Sequence, residues 1–132
     1  MERICHIQGS VPSNINSVQE FLTTTMKRIE AYISDEDTIF DIRLIINELV
    51  VNGAKHGNGW NGNKEVFLAI HLSGEDITIQ VKDEGQGICH AIDSYDPLDM
   101  KDSGRGLVIV RALTDDLIYQ GNQIVAIKHL KL

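Results

Sequence analysis

The sequence predicts an α+β fold, a two-layer α/β sandwich whose mixed, mostly antiparallel sheet carries its helices on one face. Three observations predict it. Short segments of alternating apolar residues occur in pairs joined by glycine-bearing turns, as hairpins require. Two segments in the first half instead repeat apolar residues every three or four positions, as amphipathic helices do. The resulting order, β-α-α-β-β-loop-α-β-β, pairs strands as hairpins and groups the helices, unlike a chain of βαβ units.

Arg3 to Gln8 is read as the first strand. Ser10-Val11-Pro12-Ser13 is read as a helix start, with Pro12 in the first turn where its missing N–H costs nothing. Ile15, Val18, Phe21/Leu22, Met26, Ile29 and Ile33 form the apolar stripe of that helix. Ser34 or Asp35 caps a second helix with the stripe Ile39, Ile42, Ile46, Leu49, Val50 and Gly53. Gly57 to Asn63 is a turn rich in glycine and asparagine. The strands Glu65–Leu72 and Asp76–Val81 follow, joined at Gly74-Glu75. Residues 83–103 hold glycines, acids and Pro97 and are read as a loop. Gly104 opens a third helix to about Leu113. Leu117–Tyr119 and Ile124–Ile127 close the chain as a hairpin around Gly121-Asn122.

A length of 132 residues fits one domain spanning 1–132, long enough to bury a core without staples. Aromatic residues make up only 5%, so Ile, Leu and Val must fill that core. Twelve Lys and Arg against 19 Asp and Glu give a net charge of -7, with no basic cluster, which argues against direct nucleic-acid binding. The two cysteines, Cys5 and Cys89, lie far apart and imply neither a disulfide framework nor a zinc site. No apolar run approaches membrane-spanning length. A soluble, cytoplasmic protein with no membrane contact is expected.

Three short patterns carry chemistry. Glu48, Asn52 and His56 stand at i, i+4 and i+8, one polar stripe on the second helix. A carboxylate and a carboxamide one turn apart suit a hard cation or an oriented water, although a solvated face has the same spacing. Asp83-Glu84-Gly85-Gln86-Gly87 places a carboxylate at a strand end before two spaced glycines. Such a carboxylate can accept a hydrogen bond from an exocyclic amine such as that of adenine, or the segment is an ordinary turn. Ser103-Gly104-Arg105-Gly106-Leu107 offers N–H groups and the positive end of a helix dipole to phosphate, or simply a flexible helix entry.

Other patterns are set aside. Gly57-x-Gly59-x-x-Gly62 matches a dinucleotide fingerprint, but it follows a helix and precedes a strand, the reverse of the required order. The same segment lacks the Lys-Ser/Thr ending of a P-loop. Cys89-His90 lacks the spacing of a metal site.

Taken in order, E-x-x-x-N-x-x-x-H-G, D-x-G-x-G and G-x-G-L resemble the N, G1 and G2 boxes of the histidine-kinase-like ATPase (GHKL, Bergerat fold) superfamily. NELVVNGAKHGN, VKDEGQGI and SGRGLVIVRALTDDL resemble more closely still the anti-sigma regulatory factors, which are small serine-protein kinases. The stretch between Gly87 and Gly104, including Asp96-Pro97, resembles their ATP lid. The resemblance covers nearly the whole chain.

It implies ATP and Mg²⁺ as cofactors and a role for each matching residue. Glu48 would be the catalytic base that polarises a substrate hydroxyl, and Asn52 would bind Mg²⁺. Asp83 would bind adenine, with Gly85 and Gly87 shaping the floor of the purine pocket. Gly104 and Gly106, beside Leu107, would meet the phosphates, with Lys55, His56 and Arg105 as further contacts. One departure stands out: family members often carry a Thr in the last strand near adenine, where this chain reads Ile124-Val125-Ala126-Ile127.

The resemblance implies an ATP-dependent serine/threonine kinase that phosphorylates a STAS-type anti-sigma-factor antagonist and, when free of it, sequesters a sigma factor. A homodimer is also expected, since members that bind sigma often dimerise. The alternatives are an ATP-binding partner-switching module with little kinase activity, or a stressosome-type switch kinase. The intact Glu48 favours an enzyme. The catalytic domain of a two-component histidine kinase is not the expectation, because it needs a dimerisation helix with a phosphoacceptor His, usually upstream, and only about a dozen residues of this sequence precede the first long helix.

Overall fold

The computed structural model describes residues 3–85 and 102–130, with side chains from Cys5 to Gly85 and from Gly106 to Leu130. Its elements are β1 (Arg3–Pro12), α1 (Ile15–Glu30), α2 (Glu36–Asn52), a π-helical turn (Gly53–Gly57), β2 (Glu65–Ser73), β3 (Asp76–Lys82), α3 (Asp102–Leu113), β4 (Asp116–Gln120) and β5 (Gln123–His129). The strands form one sheet in the order β1-β2-β3-β5-β4, and all four pairings are antiparallel. The expected two-layer α+β architecture is observed.

Alternation along the strands decides which face is covered. Val66, Leu68, Ile70 and Leu72 of β2 point inward, as do Ile77, Ile79 and Val81 of β3 and Ile124 and Ala126 of β5. They meet Val18, Met26 and Ile29 of α1, five fully buried residues of α2 (Ile42, Ile45, Ile46, Leu49, Val50), and Leu107 and Val110 of α3. Each such aliphatic side chain contributes about 1.5–3 kcal/mol on burial. The core is thus aliphatic, as the scarcity of aromatic residues demands.

The helix start expected at Ser10–Ser13 is instead the end of β1. Pro12 pairs with Glu65, a position open to proline because β1 lies at the sheet edge. The cap is Asn14, whose side chain accepts from the Ser17 N–H at 2.9 Å. Ile15, placed on the apolar stripe from spacing, is 58% exposed because it stands in the first turn, short of the sheet. The second helix begins at Asp35 as one of the two expected caps, its carboxylate accepting from the Thr38 N–H at 3.0 Å. The third helix begins at Asp102, two residues before Gly104. Its last turn is held by Lys128, whose Nζ donates to the Leu113 carbonyl at 3.1 Å and lies 3.8 Å from Asp41 of α2.

The α-helix gives way at Gly53 to a wider turn, closed when the Asn58 N–H donates to the Gly53 carbonyl at 2.9 Å. Gly53 itself has ordinary helical dihedrals. A methyl group there would lie 3.4 Å from Val66 and 3.6 Å from the Asp83 Cβ, normal packing distances. Gly53→Ala should therefore stabilise the fold by about 0.5–1 kcal/mol, by lowering the entropy of the unfolded chain. Chemical denaturation would register this as a higher midpoint at unchanged slope.

Candidate functional site

The C-terminal end of α2 and the start of α3 enclose a cleft of about 220 Å³ lined by Glu48, Val51, Asn52, Lys55, His56, Gly106 and Leu107. Six of these residues were expected at a nucleotide site from sequence, and the fold brings all six together. On a regular helix Val51, Asn52 and Lys55, at i+3, i+4 and i+7, already face the same way as Glu48. Lys55 and His56 stand within the π-helical turn Gly53–Gly57, and both line the cleft.

Glu48 lies against Gly106. A side chain at position 106 would collide with the Glu48 carboxylate. Burial pushes the Glu48 carboxyl above the usual carboxylate range, which makes it a stronger base than an exposed glutamate. Partial burial, and secondarily the Lys55 ammonium, pull His56 below its ordinary value, so His56 is a neutral cleft residue near neutral pH. Asn52 is 9% exposed at the same wall. Among the described residues no group of three or more His, Cys, Asp or Glu side chains is placed to hold a metal. An ion held by Asn52, phosphate oxygens and water needs no such group, and that suits Mg²⁺.

Asp83 follows β3 and is 1% exposed. Its Oδ1 accepts from the Gly85 N–H at 2.7 Å. Its Oδ2 is buried with no hydrogen-bond partner among the described residues. Burial raises its carboxyl above the ordinary range, against the opposing effects of the Gly85 N–H and of Lys64. An acceptor left unmatched in this way costs about 1–3 kcal/mol, and a ligand donor would recover it. The carboxylate lies against the Cα of Gly57, where any side chain would displace it, and Gly85 lies against the Gly57 carbonyl, where a Cβ would strike backbone. Gly57 therefore leaves the space that the Asp83 carboxylate occupies, and Gly85 leaves the space that the Gly57 backbone occupies.

Gly104 and the backbone of Arg105 fall in the first turn of α3, where N–H groups lack helical partners. Gly106 is one residue further in and is occupied with Glu48. The Arg105 side chain, Gly87, the lid segment with Asp96-Pro97, and Cys89-His90 lie outside the described residues. The stretch Ile124-Val125-Ala126-Ile127, where family members often carry a Thr, lies in β5, with Ile124 and Ala126 facing the core at 1% exposure each.

Two residues that motif spacing did not single out belong to this region. Asn58 is 4% exposed; its Nδ2 donates to Ser13 Oγ at 2.8 Å and to the Glu65 carbonyl at 3.0 Å, and its Oδ1 accepts from the Glu84 N–H at 2.8 Å. The Asn122 carbonyl accepts from the Asp83 N–H at 3.0 Å, while its side chain donates to the Asp83 carbonyl. Both asparagines read as turn residues in the sequence; only their burial and long-range partners distinguish them.

The packing of Gly106 allows a specific test. Gly106→Ala should displace the flexible Glu48 carboxylate rather than backbone, and alanine is the better helix former by about 0.5–1 kcal/mol. The variant is expected to keep or slightly raise its melting temperature while any activity that uses the Glu48 carboxylate drops by about 10-fold or more, as misplacing a reacting group by an ångström does. Parallel thermal denaturation and activity assays would separate the two effects.

A family model described as a histidine kinase-like ATPase domain matches residues 11–128. The chain is similar to an anti-sigma F factor of Anoxybacillus flavithermus, 24% identical with 98% of this chain and 94% of the relative covered. It is 30% identical to an anti-sigma F factor of Clostridium novyi, with 78% of this chain and 82% of the relative covered. Among solved structures, a Mycobacterium tuberculosis protein with RsbU and RsbW domains superposes with a TM-score of 0.59 at 20% identity, over 97% of this chain and 32% of the other. That likeness is one of fold.

Proposed function

Because this chain belongs to the histidine kinase-like ATPase family, we propose that it is an ATP-dependent protein serine/threonine kinase and an anti-sigma regulatory factor, one that phosphorylates a STAS-type antagonist and sequesters a sigma factor. The single observation that carries the nucleotide assignment is the orphaned, buried Oδ2 of Asp83. It is an acceptor in need of a donor, and the exocyclic amine of adenine is a donor of the right kind. The kinase assignment rests on Glu48, a carboxylate made more basic by burial and sharing one cleft with Asn52.

Glu48 accepts the proton of the acceptor serine hydroxyl as its oxygen attacks the γ-phosphorus, and ADP leaves. Asn52 would hold Mg²⁺, which when bound would neutralise charge on the phosphate oxygens. The α3 N-terminus, with Gly104 in its first turn, receives phosphate, with Lys55 and Arg105 as flanking cations. Phosphoryl transfer needs positioning and charge neutralisation above all, and few groups suffice for both. The similarity to anti-sigma F factors supports the partner assignment.

Two measurements test the proposal together. Calorimetry should find Mg²⁺-dependent ATP binding that is lost in Asp83→Ala and weakened in Asn52→Ala. Incubation with Mg²⁺-ATP and a STAS-domain partner should then yield a phosphoserine or phosphothreonine on that partner by mass spectrometry. ATP binding and partner binding without phosphate transfer would replace the kinase by a partner-switching module that only sequesters. The apolar stretch Ile124-Val125-Ala126-Ile127 in β5, where family members often carry a Thr, is the observation that favours this second reading.

A further inference from the structure

Asp83 does not set its own position. Its backbone N–H and carbonyl are both bonded to Asn122, at the turn between β4 and β5. The next residue, Glu84, has its N–H bonded to Asn58 Oδ1. Asn58 in turn closes the π-helical turn through its own N–H, and so holds Gly57, the residue against which the Asp83 carboxylate rests. With Oδ1 committed to Gly85, one rotation of the carboxyl group remains, and it leaves Oδ2 as the acceptor without a partner among the described residues.

We propose that Asn58 and Asn122 are positioning residues for base selectivity: they clamp the backbone on either side of Asp83 so that its carboxylate offers one acceptor to an amine-bearing purine. This rests on the nucleotide-site assignment above and extends it from binding to discrimination. A 6-amino purine donates to that acceptor, whereas a 6-oxo purine presents a second acceptor and is repelled. Discrimination of this type depends on rigidity, because a carboxylate free to turn or withdraw escapes the repulsion. Asn58 can supply rigidity because three of its side-chain hydrogen bonds reach three separate segments, the β1–α1 corner, the start of β2 and the loop after β3.

The test is the ratio of ATP to inosine triphosphate affinity, measured with Mg²⁺ on the full chain. The wild type should prefer ATP by about 10- to 100-fold, the range of one hydrogen bond to a charged group. Asn122→Ala and Asn58→Ala should bring the ratio to within about threefold of unity, chiefly by losing ATP affinity. Asn58→Asp retains the acceptor for the Glu84 N–H and should keep more of the preference than Asn58→Ala, even if the alanine variant is too unstable to assay. A role confined to stability would lower the melting temperature and leave the ratio at its wild-type value in every folded variant, and that result would overturn the clamp. A wild type that does not distinguish the two nucleotides, or an Asp83→Ala variant that still does, would instead remove the nucleotide-site assignment and the clamp with it.

Discussion

Asp83→Asn is expected to weaken Mg²⁺-ATP binding by about 100-fold while leaving the ligand-free fold no less stable than the wild type. The carboxamide is nearly isosteric, so the packing against Gly57 is preserved. If its oxygen keeps the Gly85 N–H, its NH₂ takes the place of the orphaned Oδ2 and faces the adenine amine donor to donor. The ligand-free protein, for its part, loses a carboxylate that burial disfavours. The pH dependence has a definite sign. The folded-state pKa of Asp83 is raised above the ordinary value near 3.9, so the folded state binds the proton more tightly than the unfolded chain does. Stability therefore falls as pH rises from about 4 through the raised pKa, and the loss is complete above it. Urea denaturation of both proteins at several pH values from about 4 to about 7 should find a gap that widens with pH in favour of Asp83→Asn. Equal ATP affinity in the two proteins would dissociate Asp83 from the nucleotide.

Glu48→Gln carries the second large effect. Removing a general base costs about 10²- to 10⁴-fold in kcat, and because the side chain keeps its size, ATP affinity should change little. The base must be ionised to act. Wild-type kcat should thus decline as pH falls through the Glu48 pKa, at a pH above the usual glutamate value near 4.3. The residual activity of Glu48→Gln should lack that acidic limb. Single-turnover measurements of phosphate transfer across the pH range would decide the matter, and a variant with full turnover would leave Glu48 as a cleft wall only. Gly106→Ala should lower the rate less than Glu48→Gln and keep the acidic limb, because it moves the carboxylate without removing it.

The periodicity of the chain by itself determined most of the elements. Strand alternation and three- to four-residue helical spacing are local properties, carried by neighbours in sequence, and they survive in any context that has a core. The order of the three motifs determined the family for the same reason, since each is a short run with fixed spacing. Boundaries were less legible. Pro12 could open a helix or end an edge strand, and only the place of β1 beside β2 alone selected the strand.

What the tertiary structure alone decided is the geometry between motifs. Nothing local in VKDEGQGI says that one oxygen of Asp83 is buried without a partner; that follows from the approach of Gly57 out of another motif. Gly106, expected beside phosphate, proves to be the residue that makes room for Glu48. Asn58 and Asn122 lie in segments that look like plain turns, yet they bond to residues 26 and 39 positions away around Asp83. Propensity and spacing act over a few residues, whereas a site is made of contacts that close long loops. Their cost is chain entropy, and they form only when the whole core has folded around them.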